Sequence, residues 1–322
     1  MPDVRLQPLA RAKVASLGAA GEAWEAALPA TLDGLAATWG LTLGTALPGG
    51  SASYVVAART REGAERVVKV ALPDPALLPG VAAEAAVLRA AEGRGYARLH
   101  AYDEERHALL LESCGRSLER SALPVTEQLV VLADTLRLAW TVDVPAVAPP
   151  PRGEDRASFL HGFVVDHARR LEGHDLGPRF DAVLEQALEC AERRAEAYDP
   201  GACVVAHGDA HPANLLRALD DGRGRAAEGT GWVFVDPDGV AADPAYDLGV
   251  ALREWTGELT GPGARSRAEG WATLLADRTG QDRRAVWEWG YLERVSTGLY
   301  VLGFGAERLG RRFLDSAALL LD

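Results

Sequence analysis

The chain has 322 residues, a formal net charge of −12, 48% apolar residues and 25% charged ones. That is enough chain for two packed lobes of a globular protein. The acidic balance and the lack of a basic stripe argue against a nucleic-acid binder, and no run approaches the ~20 apolar residues of a membrane span. Cys114, Cys190 and Cys203 are too few and too scattered for a disulfide framework or a structural zinc site. Residues 1–13 mix charges with prolines and hold no apolar segment of the secretory kind, so the expected address is the cytoplasm. Basic residues are nearly all Arg; Lys13 and Lys69 are the only lysines. A lysine kept against such a bias invites the question of what it does.

Leu17, Trp24, Leu28, Leu32, Leu35 and Trp39 keep one apolar face, which predicts two short helices over residues 16–39 with Pro29 in the first turn of the second. Strands are predicted at 41–47, 54–58 and 66–70, the last two joined by a hairpin tip at Arg61-Glu62-Gly63. A helix opened by Pro79 and stopped by Gly93 follows, then strands at 97–102 and 107–111. After residue 113 the texture turns helical: helices are predicted at 125–140, 153–172 and 178–198, and from Pro244 to the end. Trp255, Trp271, Trp287 and Trp289 are the expected core anchors. Between these helical stretches, residues 203–236 read as short strands and polar loops, with a Gly-rich hairpin loop at 218–230.

Five stretches carry candidate chemistry. An apolar strand ends at His207, a polar loop follows, and a second strand starts at Leu215; the loop presents His207, Asp209, His211 and Asn214. A second strand, Gly231–Val235, delivers Asp236 at its end, with Asp238 two residues on. Lys69 lies on a strand, with Glu84 in the next helix and Glu92 near that helix's end as its possible partners. The turn Gly49-Gly50-Ser51-Ala52-Ser53 offers backbone amides and the hydroxyls of Ser51 and Ser53, although it lacks Gly-x-Gly-x-x-Gly and is not a P-loop. The strand at 107–111 runs into the small-residue linker Glu112-Ser113-Cys114.

The string His-Gly-Asp-x-His-x-x-Asn at 207–214, with a strand-end Asp about twenty residues later, resembles the aminoglycoside phosphotransferase and choline-kinase-like superfamily, relatives of the protein kinases. Phosphoryl transfer requires a held nucleotide, metal ions on the phosphates and a carboxylate to orient the attacking hydroxyl. The resemblance implies Asp209 as catalytic base, His207 as a brace of the loop, His211 near the transferred phosphate, and Asn214 and Asp236 as Mg²⁺ ligands. It implies Lys69 paired with Glu84 on the ATP phosphates, Ser51 and Ser53 over them, and the backbone of Glu112 and Cys114 at the adenine. Asp243 and Asp247, in Asp-Pro-Ala-Tyr-Asp-Leu, are read as a helix cap and a loop brace.

The implied fold is α+β and bilobal: a small antiparallel-sheet N-terminal lobe, residues 1–113, and a larger, mainly helical C-terminal lobe, residues 114–322. Residues 94–99, 108–112 and 231–237 are similar to the streptomycin 6-phosphotransferases, a group also labelled aminoglycoside/hydroxyurea antibiotic resistance kinases. The implied acceptor is a small, hydroxylated, cationic molecule, with ATP and Mg²⁺ and with no nucleic-acid or membrane partner. Asp166, Glu172, Asp175, Asp238 and Glu254 are candidates to line an acidic acceptor cleft; Asp238 departs from the group's pattern. Two alternatives stand beside this reading. One is a housekeeping kinase for an amino alcohol, homoserine or a sugar; the other is a nucleotide-binding pseudoenzyme.

Overall fold

The computed structural model describes residues 6–47, 52–75, 78–174, 176–219, 229–303 and 305–321. Two helices open the chain, α1 (Pro8–Ser16) and α2 (Ala19–Trp39). They cross so closely that a Cβ on Gly21 would lie 2.0 Å from the Val14 carbonyl oxygen. The expected break at Pro29 does not occur, and α2 runs through it. Proline inside a helix costs about 3 kcal/mol. Leu28, Leu32 and Leu35 are each at most 1% exposed, and full burial of a leucine contributes about 1.5–3 kcal/mol. The apolar stripe spanning the proline therefore outweighs the lost hydrogen bond.

Five strands form one antiparallel sheet in the order β1-β2-β3-β5-β4: β1 (Leu41–Ala46), β2 (Ser53–Thr60), β3 (Glu65–Ala71), β4 (Leu99–Asp103) and β5 (Ala108–Glu112). Strand alternation divides it into two faces. Val68, Val70, Ala108 and Leu110 pack with α2 in one core, while Leu109 and Leu111 join the larger core beneath. Lys69, between Val68 and Val70, therefore points away from α2 and toward α3 (Leu78–Ala91). Residue alternation along one strand thus sets the lysine against Glu84 of α3.

The rest is mainly helical: α4 (Val125–Ala139), α5 (Arg156–Arg170), α6 (Phe180–Glu196), α7 (Pro244–Leu252), α8 (Ala264–Thr279), α9 (Arg283–Gly303) and α10 (Glu307–Ala318). Helix α9 lies centrally against α5, α6, α7, α8 and α10. Of the four expected anchors, Trp271 and Trp289 are buried, whereas Trp255 and Trp287 are only partly so. No described helix is long and apolar enough to cross a membrane. Two small antiparallel ladders sit between sheet and helices: β6 (Val204–Ala206) with β9 (Val240–Ala242), and β7 (Leu215–Arg217) with β8 (Trp232–Phe234). Their connections are loops 207–214 and 235–239.

Candidate active site

The two loops are hydrogen-bonded to each other. Val235 N–H donates to the Asn214 carbonyl at 2.9 Å, and Asp238 N–H to the His207 carbonyl at 2.7 Å. His207 is fully buried; its Nδ1 accepts from the Asp209 N–H at 3.1 Å, which leaves Nε2 to donate to the Val235 carbonyl at 2.9 Å. Asp247, on α7, accepts the N–H groups of His207 and Gly208, and the Trp140 indole N–H, at 2.9 Å each. Burial pushes the Asp247 pKa up, against the pull of His207 and these donors. The Tyr246 hydroxyl donates to the Gly208 carbonyl, and Asp243 caps α7 through the Ala245 N–H. Loop 207–214 is therefore held by backbone pairing on one side and by α7 on the other.

On that mount Asp209 meets three donors. Arg253 Nη2 lies 2.6 Å from Oδ1; Asn214 Nδ2 and His211 Nε2 lie 3.3 Å from Oδ2. Burial alone would raise the Asp209 pKa, but the His211 hydrogen bond and the Arg253 charge prevail and hold it far below the usual carboxylate range. Burial likewise opposes the charged form of His211, and the bond to Asp209 reverses this and raises its pKa. Its Nδ1 accepts from the Ala213 N–H, which fixes Nε2 as the nitrogen facing Asp209.

Lys69 Nζ sits 2.6 Å from Glu84 Oε2 and 2.8 Å from Asp236 Oδ1, joining β3, α3 and loop 235–239. Of the two candidate partners for Lys69, Glu84 is the one in contact; Glu92 is exposed at the end of α3. Burial disfavours the charged lysine, yet the charges of Asp236 and Glu84 outweigh it and lift its pKa above the ordinary value. Burial pushes Glu84 up to about 7 despite Lys69, with Asp236 adding to the rise. Asp236 has φ of 58°. Asp tolerates that left-handed conformation better than most residues, and such strain concentrates at functional sites.

The remaining sequence candidates are dispersed. Ser53 is buried at the start of β2 opposite Ala71, and Ser51 lies outside the described residues, as does Asp175. Glu112 ends β5, where its N–H donates to the Arg98 carbonyl and its Oε1 accepts the Arg98 N–H. Cys114 is partly exposed just beyond. Asp238 borders the site: it is exposed, and a Cβ on Gly208 would lie 2.6 Å from its Oδ2. Although the residue is exposed, the packing of its side chain against Gly208 partly desolvates the carboxyl, and this, then the nearby Asp209 charge, raises its pKa. Glu254 touches Arg253 at 3.4 Å. Asp166 pairs with Arg169 on its own helix at 3.6 Å, and among the described residues no hydrogen bond or ion pair joins it to Asp209.

Sequence reasoning missed Arg253, Glu293 and Arg156. Arg253 closes α7 and reaches back 44 residues to Asp209. Glu293, on α9 and 2% exposed, accepts from Arg253 Nη1 at 2.8 Å and lies 4.0 Å from Arg156. Arg156 lies over the Tyr246 ring at 4.9 Å. Nothing local separates these residues from ordinary helix-surface charges.

Oxygen donors suit Mg²⁺. Asp236 offers a half-exposed carboxylate, and Asn214 uses its amide nitrogen on Asp209, leaving its amide oxygen without a hydrogen bond among the described residues. Those residues contain no group of three or more His, Cys, Asp or Glu arranged to hold a metal. Mg²⁺ bound through one or two protein oxygens plus phosphates requires no such group.

The sequence matches the phosphotransferase enzyme family over residues 44–287. Streptomycin 6-kinase from Streptomyces glaucescens is 29% identical over 318 residues, 98% of this chain and 94% of that protein. Hydroxyurea phosphotransferase from Kitasatospora aureofaciens is 30% identical over 312 residues, 94% of this chain and 82% of that protein. The structure of aminoglycoside phosphotransferase APH(3'')-Id from Streptomyces rimosus, in complex with ADP and streptomycin, has a TM-score of 0.52 at 19% identity, over 83% of this chain and 97% of that one. That is a likeness of fold.

Proposed function

Because the chain belongs to the phosphotransferase enzyme family, we propose that it transfers the γ-phosphoryl group of ATP to a hydroxyl of a small cationic acceptor of the streptomycin type. The observation that carries this reading is Lys69 bridging Glu84 and Asp236 beside the loop that bears Asp209 and Asn214. ATP would lie between the lobes of residues 1–113 and 114–322, with Lys69 on its phosphates. Asn214 and Asp236 would hold Mg²⁺, which neutralises charge on the β- and γ-phosphates when bound. Asp209 would orient the acceptor hydroxyl and receive its proton. The acceptor O–P bond forms as the bond from γ-phosphorus to the β–γ bridging oxygen breaks, and ADP leaves. His207 would act only as a brace. Ser53 and the backbone around Glu112 and Cys114 would contact the nucleotide.

A cationic acceptor is favoured by the exposed carboxylate of Asp238, which borders Asp209 and forms no hydrogen bond or ion pair among the described residues, with Glu254 close by. The names of the relatives frame the choice: streptomycin in one case, hydroxyurea in the other. The test is coupled ADP release with ATP and Mg²⁺ against streptomycin, other aminoglycosides, hydroxyurea, choline, homoserine and simple sugars, with Asp209→Ala as the blank. Turnover with streptomycin, lost by about 10²–10⁴-fold in the blank while ATP still binds, is the expected result. Turnover with a neutral acceptor alone would overturn the substrate class and leave the chemistry. ATP binding with no turnover on any acceptor would favour the pseudoenzyme.

A further inference from the structure

Arg253 spreads one guanidinium over three carboxylates: Asp209 Oδ1 at 2.6 Å, Glu293 Oε2 at 2.8 Å and Glu254 Oε1 at 3.4 Å. Its donors leave a rigid planar fork in fixed directions, so holding one arm aims the others. The arm on Glu293 is held firmly, because that carboxylate is 2% exposed on α9 and has Arg156 4.0 Å away on its other oxygen. The Asp209 side chain is 39% exposed on a loop, and its other two side-chain contacts are long, at 3.3 Å. A carboxylate has about four lone-pair positions. Three are engaged here, so Arg253 anchors Asp209 without closing it to an incoming hydroxyl.

We propose that Arg253, clamped by Glu293, is a positioning residue that fixes the rotamer of Asp209 in line with the acceptor hydroxyl. The proposal rests on the reading of Asp209 as the carboxylate that receives that hydroxyl's proton. A misplacement of about 1 Å at such a group costs on the order of 10²-fold in rate. The pair ties the catalytic loop to α9, which also packs against α5 and α6, so the anchor is built from the helical half of the molecule rather than from the loop.

The experiment compares R253M, R253K, E293Q and the double variant R253M/E293Q in steady-state ADP release, with streptomycin as first acceptor and D209A as control. R253M is expected to lower kcat by about 10²-fold with KM for ATP within about twofold, and R253K to recover part of the loss. Removing one partner alone strands a buried charge, whereas removing both together is often neutral for stability. The double variant should therefore melt close to the parent and still turn over slowly. A double variant as fast as the parent would make the pair purely structural and overturn the proposal. D209A at parental rate would overturn it too, by removing the reading beneath it. Crystal structures of the parent and the double variant with Mg·ADP add a readout free of acceptor: a shift of the Asp209 carboxylate by about 1 Å or more supports positioning, and an unmoved carboxylate overturns it.

Discussion

Asp247 receives the backbone N–H of His207 on one carboxylate oxygen and that of Gly208 on the other, both at 2.9 Å. A single buried side chain of α7 thus suspends the start of the loop that carries Asp209. Replacing Asp247 by Asn puts an NH₂ group against one of those N–H donors. Hydrogen bonds to charged groups contribute about 1.5–3 kcal/mol each. The D247N variant should lose about 2–3 kcal/mol of stability in urea unfolding, with activity falling further than stability alone explains. Unchanged stability would mean that the loop is held by strand pairing.

Gly208 has φ of 89°, and a Cβ there would lie 2.6 Å from both Cβ and Oδ2 of Asp238. Backbone strain of this type costs about 1–3 kcal/mol, and the steric clash adds to it. Gly208→Ala is expected to fold with a lowered melting temperature and to lose most activity. A fully active G208A enzyme would show that loops 207–214 and 235–239 can separate at no cost.

Glu84 gives a pH signature of unusual sign. Its folded pKa, near 7, lies above the ordinary 4.5. Between those values the folded protein holds a proton that the unfolded chain releases, so its contribution to stability declines as pH rises from about 4.5 to 7. Glu84→Gln does not titrate. The stability of the parent relative to E84Q should therefore fall across this window in chemical denaturation at a series of pH values. A flat difference would mean that Lys69 keeps Glu84 ionised throughout.

Asp238 is expected to act on the acceptor alone. Asp238→Asn should raise KM for a cationic acceptor by about tenfold, equal to 1.4 kcal/mol, and leave KM for ATP unchanged. The same rise with a neutral acceptor would assign Asp238 to loop geometry through Gly208.

Much of the site was legible because its parts are local. The candidate residues from His207 to Asn214 are contiguous, and the loop is framed by two three-residue strands whose apolar side chains mark them out. Lys69 could be placed on a strand from its apolar neighbours. Spacing alone did not separate Glu84 from Glu92, since both follow Lys69 at plausible distances; the resemblance pointed to Glu84, and the path of α3 is what brings it into contact. The acids proposed for an acceptor rim were least legible. Asp166, Asp238 and Glu254 look alike as isolated acids, yet only the last two lie beside the Asp209 cluster.

The sequence by itself determined the α+β order of elements and the polar loops between short strands, which rest on residue periodicity and on neighbours within a few positions; the chemistry proposed for those loops came from their resemblance to the phosphotransferase family. Tertiary structure alone decided the continuity of α2 through Pro29, the Lys69–Asp236 pair 167 residues apart, and the clamp of Arg253 and Glu293 on Asp209. Those depend on which faces of distant elements meet when the apolar surface is buried. A charge at a helix end reads the same in sequence whether it faces water or the carboxylate of Asp209.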